Sequence, residues 1–238
     1  MLQDQDLRVR ETRITLTRGG KGPTLLYLHG PDGASSVRPA MELLARKHEV
    51  LVPEHPGFGG SDEPEWLDNI HDLAYFYLDF CEQLDLRNVH LVGSSLGGWL
   101  ALEMAVRDRA RLTRLTLAAP LGIHVPGVKR GDPFLWSPEE KARHLGDASI
   151  DVKNQYTFAR LAWEPRLFDP HLAKWLHRVK VPTQIIWGER DPLLPSAYAA
   201  EFQKLIAGSR VDIVKDCGHL PALEKPEQFA RLVEEFGR

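Results

Sequence analysis

The chain has 238 residues, 43% of them hydrophobic, with no shift of composition along its length, which suits one large core in a single domain. Thirty basic and 33 acidic residues give a net charge of -3, so nothing draws the chain to nucleic acid or an anionic membrane, and a small neutral or organic molecule is the expected partner. No apolar run approaches the roughly 18 to 20 residues of a membrane helix, Cys81 and Cys217 are the only cysteines, and no histidines cluster at metal-ligand spacing; the expectation is a cytoplasmic monomer or homodimer with no metal and no cofactor.

Residues 7–10 and 13–17 alternate in polarity and precede Gly19-Gly20-Lys21-Gly22, which predicts a pair of antiparallel strands. Thr24-Leu25-Leu26-Tyr27-Leu28 does not alternate, as expected of a central strand buried on both faces, and it ends in the loop His29-Gly30-Pro31-Asp32-Gly33. A helix over 37–46 and a strand over 49–52 follow. Residues 53–62 then form a glycine-rich loop that lacks the G-K-S/T of a phosphate-binding loop. Over 69–84, Ile70, Leu73, Tyr77, Cys81 and Leu84 share one helical face, and residues 89–92 read as the next buried strand. The alternation of strand and helix predicts an α/β fold with a mostly parallel central sheet flanked by helices.

That strand runs into Gly93-Ser94-Ser95-Leu96-Gly97, and Leu96, Leu100 and Met104 then recur at helical spacing. Glycines on both sides of Ser95 allow a strained strand-to-helix turn that lifts its hydroxyl clear of the sheet. A strand over 112–118 follows, and beyond it the pattern lapses until the strand over 183–187. The interval carries Phe134, Trp136, Tyr156, Phe158, Trp163, Phe168 and Trp175, which predicts a small helical cap, most of the aromatics packing its core and a few lining a pocket beneath it. The core is thus assigned to residues 1–120 and 179–238, and the cap insertion to 121–178. After the cap, Asp191 sits in the turn Gly188-Glu189-Arg190-Asp191-Pro192, a helix spans 197–206 and a strand 211–214, His219 ends the loop Asp216-Cys217-Gly218-His219, and a helix over 226–236 closes the chain.

A serine hydroxyl is a weak nucleophile until a base takes its proton, and a base needs a group to orient it. Ser95, Asp191 and His219 supply these three types, each in a turn after a strand. Asp216 is only three residues from His219, a spacing better suited to shaping its loop, and residues 119–123 after the preceding strand contain no acid. The backbone N–H of Leu96, at the start of a helix, is one donor for a developing oxyanion. Pro31 has no N–H to give as the second, so either Asp32 or Gly33 provides it through a shifted loop or one donor is missing.

In nucleophile, acid, base order, the chain resembles the α/β-hydrolase superfamily. The matching segments are Leu28-His29-Gly30, Pro56-Gly57-Phe58-Gly59-Gly60-Ser61-Asp62, Gly93 to Gly98, Trp187 to Pro192 and Gly218 to Glu227. The resemblance implies that Ser95 attacks a carbonyl carbon, that His219 takes and returns the proton, that Asp191 orients His219, and that a cap after the sixth strand encodes substrate choice. His29 is expected to brace its loop. The activity implied is hydrolysis of a small or medium carboxylic ester through an acyl-enzyme, without a cofactor. Carbon-carbon bond hydrolysis, lactonase, thioesterase and hydroxynitrile lyase activities, and a non-catalytic ligand-binding receptor, are the alternatives. Carbon-carbon hydrolases of this resemblance usually carry asparagine where Ser94 stands, and dehalogenases and epoxide hydrolases carry aspartate where Ser95 stands. Arg130, Lys141, Arg143 and Arg160 are the candidates for a charged clamp in the cap.

Overall fold

The computed structural model of the chain describes residues 1–237. Among them, eight strands join in one sheet: β1 (Gln3–Val9), β2 (Thr12–Gly19), β3 (Thr24–Leu28), β4 (Glu49–Pro53), β5 (Val89–Ser94), β6 (Leu112–Ala118), β7 (Thr183–Gly188) and β8 (Arg210–Val214). Their spatial order is β1-β2-β4-β3-β5-β6-β7-β8, with β2 antiparallel to both of its neighbours, β1 and β4, and every other neighbouring pair parallel. The chain steps from β3 outward to β4 and then returns to place β5 on the other side of β3. Strand order therefore reverses between β3 and β5, and the loops leaving their carboxyl ends part to form a crevice, the usual ligand position in such sheets. Those loops carry His29 to Gly33 and Ser95.

The helices are α1 (Gly33–Ser36), α2 (Arg38–Leu44), α3 (Ile70–Gln83), α4 (Leu96–Arg107), α5 (Pro138–Leu145), α6 (Val152–Ala162), α7 (Ala197–Leu205), α8 (Pro221–Glu224) and α9 (Pro226–Phe236). On β3, Leu26 and Leu28 enter the core shared with α3, α4 and α7, whereas Leu25 and Tyr27 enter the one shared with α2 and α9. All four are fully buried, which is why this strand shows no alternation of polarity. Asn69 starts α3 as a capping box: its side chain accepts from the N–H groups of His71 and Asp72, and Asp72 answers to the Asn69 N–H.

Two elements differ from the sequence expectation. The first strand begins at Gln3 rather than residue 7, because the ladder Gln3↔Arg18 to Val9↔Thr12 satisfies its backbone while the polar side chains stay in water at the sheet edge. The helix expected over 37–46 is α2 over 38–44, with Pro39 in its first turn, and a separate short turn, α1, precedes it. The turn α8 between His219 and the closing helix was not anticipated, being only four residues long.

Between β6 and β7 the described residues hold α5, a 3-10 turn at Asp147–Ile150, α6 and a second 3-10 turn at Ala173–Arg178. Ser137 and Asp151 cap α5 and α6 with their side chains. Helix α6 docks on the glycine-rich loop 53–62: Thr157 Oγ1 donates to the Gly57 carbonyl at 2.7 Å, Lys153 Nζ to the Gly59 carbonyl at 2.9 Å, and the Gly59 N–H to Asn154 Oδ1 at 2.9 Å. At the end of α5, a side chain on Gly146 would come within 3.4 Å of Asp32 and 3.0 Å of Leu223, so this segment lies across the crevice.

Backbone approaches backbone very closely at the turn into α4. A methyl group on Gly97 would lie 2.1 Å from the Leu28 carbonyl oxygen, and one on Gly93 would lie 2.3 Å from the Gly97 carbonyl oxygen. Both obstacles are backbone, so no rotamer change relieves them. Gly97→Ala is expected to destabilise the protein by about 1 to 3 kcal/mol or more, as overpacking against fixed structure does. Urea unfolding checks this, and a stability within a few tenths of wild type would refute the close approach.

Candidate active site

Ser95 is the residue between β5 and α4, and it holds φ 53° and ψ -114°, a left-handed conformation that costs energy for any residue with a β-carbon. The turn is held by main-chain bonds: the Ser95 N–H donates to the Ala118 carbonyl at 2.9 Å, and the Ser95 carbonyl accepts from Gly98, Trp99 and Leu121. Its hydroxyl lies 2.9 Å from His219 Nε2, and His219 Nδ1 lies 2.8 Å from Asp191 Oδ2. All three side chains are shielded from solvent. The second oxygen of Asp191 accepts from the N–H groups of Leu193 and Leu194 at 2.8 and 2.9 Å, which fixes the carboxylate plane.

The loop of His219 is secured by Glu224 on α8, whose two oxygens accept from the N–H of Gly218 at 2.7 Å and of Leu220 at 3.1 Å. Asp216 faces away, its carboxylate paired with Arg190 at the surface, so it does not compete for the imidazole. Ser95, His219 and Asp191, each from a different strand end, thus meet in one hydrogen-bonded line.

The family model described as "Alpha/beta hydrolase family" matches residues 25–232. The chain belongs to that family. Among curated relatives, it is 25% identical to the monoacylglycerol lipase ABHD6 of Mus musculus, over 92% of this chain and 76% of that protein. It is 27% identical to the 2-hydroxymuconate semialdehyde hydrolase of Pseudomonas putida, over 94% of this chain and 90% of that protein. Among solved structures, it superposes on a membrane phospholipase A described as a bacterial virulence factor with TM-score 0.87, at 24% identity over 99% of this chain and 85% of that one. No helix among the described residues of this family member is long and apolar enough to cross a membrane.

The loop after β3 is braced by a pair of buried histidines. The His29 and His55 rings stack at 3.7 Å, the His55 N–H donates to His29 Nε2 at 2.9 Å, and His55 Nε2 donates to the His29 carbonyl at 3.0 Å. Burial first, and the neighbouring His29 second, hold His55 well below the ordinary histidine pKa, so this ring stays neutral. Of the two residues that could replace Pro31 as an oxyanion donor, Gly33 gives its N–H to the Gly30 carbonyl at 3.3 Å. Asp32 precedes it in a helical conformation, and Leu96 opens α4 with an N–H that has no carbonyl partner within the helix.

The Asp32 side chain is a feature the sequence did not single out. It is fully buried; Oδ2 accepts from the Ser36 hydroxyl at 2.7 Å, and Oδ1 has no partner. The hydroxyls of Tyr27 and Ser94 are also buried and unpartnered, and burial together with Asp32 raises the Tyr27 pKa. Burial likewise raises Asp32 above the ordinary carboxylate range, against the opposing pull of Ser36, His29 and the backbone N–H groups of Asp32 and Gly30.

A second cluster joins the cap to the core. His71, Glu103 and Asp169 bring their ligand atoms within 4.8 Å of one another, a grouping invisible in the sequence because the three come from α3, α4 and the cap. Arg107 already supplies positive charge there, paired with Glu103 and donating to His71 Nδ1 at 2.9 Å. Of the four candidate cations in the cap, Arg160 is engaged by the Leu67 carbonyl and Glu63, Arg130 by the Arg166 carbonyl, and Arg143 is exposed. Lys141 lines a cavity with Pro31.

A carboxyl whose folded pKa is raised binds its proton more tightly folded than unfolded. The stability it contributes is fully present below the ordinary value of 3.8 and is lost as the pH rises through the higher folded value. An amide at this position carries no such proton. Asp32→Asn is therefore expected to gain in melting temperature relative to wild type as the pH rises from about 3.5 to neutrality, and a difference independent of pH would rule out a perturbed Asp32.

Proposed function

We propose that this chain is a serine hydrolase that cleaves a small or medium carboxylic ester through an acyl-enzyme, with Ser95 as nucleophile, His219 as base and Asp191 as its orienting acid. The observation that carries the reading is the position of His219, within hydrogen-bond reach of both Ser95 and Asp191. Ser95 Oγ attacks the acyl carbon while His219 Nε2 takes its proton, and Asp191 stabilises the imidazolium that forms. The tetrahedral intermediate expels the alkoxide, which leaves as an alcohol with the proton from His219. Water then attacks the acyl-enzyme by the same route and frees the acid.

The oxyanion is assigned to the backbone N–H groups of Leu96 and Asp32. A charged Asp32 beside that site would oppose the developing negative charge, and burial favours its neutral form. The cap over 121–178 covers the site and selects the substrate, a small molecule, and the protein acts in the cytoplasm as a monomer or homodimer. Two buried free thiols and no disulfide among the described residues suit that compartment. Hydrolysis of a carbon-carbon bond is the second reading, favoured by the likeness to 2-hydroxymuconate semialdehyde hydrolase.

A fluorophosphonate probe is expected to label Ser95, with turnover of short p-nitrophenyl esters. Ser95→Ala should abolish both while melting within a degree or two of wild type. Asp191→Asn should lower kcat on the order of 10⁴-fold by leaving the imidazole in the wrong tautomer. Wild-type enzyme that is labelled at Ser95 but turns over no ester would refute the ester reading and favour the carbon-carbon one.

A further inference from the structure

Beneath the cap lies a cavity of about 150 Å³ whose walls are Pro31 from the oxyanion loop, Phe134, Leu145, Phe158 and Trp163 from the cap, and Lys141 of α5. It reaches the loop after β3 through Pro31. Pro31 follows Gly30, and a side chain on Gly30 would lie 3.0 Å from Ser95 Cβ. The aromatic walls are rigidly set, for Phe134 stacks on Phe158 at 5.1 Å and meets the edge of Trp163 at 5.1 Å. A dry apolar cavity of ~150 Å³ admits a benzene ring and little more.

Lys141 is the one charged group in the wall, and no carboxylate lines the cavity with it. It is half-buried, and its Nζ donates to Gln155 Oε1 at 2.8 Å. An ammonium has three donors, so two remain, and among the described residues no carboxylate pairs with it. By contrast Arg160 and Arg166 in the same cap each have an acidic partner, Glu63 and Asp132. A half-buried cation left without a counterion on a wall that is otherwise uncharged complements an anion brought by the ligand.

We infer that Lys141 selects a substrate whose small ring or short branched group fills this cavity and whose carboxylate faces the ammonium. The inference rests on the ester reading only for the bond that is cleaved. The cavity excludes long acyl chains, so the substrate class is a compact acidic ester, such as an ester bearing a benzoate-sized acid. The charge acts in binding and takes no part in the proton transfers at Ser95.

The test separates binding from chemistry. Calorimetry on Ser95→Ala protein should find benzoate bound at least about tenfold more tightly than benzamide, the scale of a charge-assisted hydrogen bond. Lys141→Met should erase that preference, and Lys141→Arg should restore most of it. In wild-type enzyme, 4-acetoxybenzoate should exceed phenyl acetate in kcat/KM by about tenfold or more, with the difference in KM. Equal binding of benzoate and benzamide, or a preference that survives Lys141→Met, would overturn the inference. A benzoate preference lost with Lys141 but accompanied by no ester turnover would uphold it and remove the ester reading alone.

Discussion

The approach of the first turn of α4 to the ends of β3 and β5 governs everything built around it. Gly97 sits where a methyl group would meet the carbonyl oxygens of both Leu28 and His29, and Gly93 sits where one would meet the carbonyl of Gly97. Because three stretches of backbone meet without side chains between them, the strand turns within one residue, and Ser95 takes the left-handed conformation that the turn requires. The same contact aims the N-terminus of α4, with its unpaired N–H groups, at the loop after β3. Ser95 and the N–H of Leu96 are consequently placed by one packing event.

The other half of the site depends on main-chain bonds made by acidic side chains. Asp191 accepts two N–H groups with the oxygen that does not face His219, and Glu224 accepts the N–H groups on either side of His219. The two loops are pressed together at Gly188, where a side chain would lie 1.8 Å from the Gly218 carbonyl oxygen. The carboxylate of Asp191 and the loop that carries the imidazole of His219 are thus both held from behind.

Burial sets the protonation of the groups around this frame. His55 stays neutral because its ring is enclosed and stacked on His29, and Asp32 is pushed toward its neutral form for the same reason. The cap adds the opposite feature, an unneutralised Lys141 on an aromatic wall. In the proposed reading, shape and charge for the substrate come from the inserted segment, and the reacting groups come from the ends of the sheet strands.

The parallel sheet, Ser95 in its turn, the order of Ser95, Asp191 and His219, and a helical interval after the sixth strand are all legible in the sequence. Each is a local matter of apolar runs, glycine spacing and turn residues, which physical chemistry reads along the chain. Local pattern could also show that Pro31 lacks a donor, but not that the Gly33 N–H goes to the Gly30 carbonyl. The burial of Asp32 with Ser94 and Tyr27, the grouping of His71, Glu103 and Asp169, and the choice of Lys141 among four cap cations were decided only by tertiary structure. These residues stand far apart in sequence, and a side chain's charge state and partner depend on what packing brings within a few ångströms of it, which periodicity and spacing do not encode.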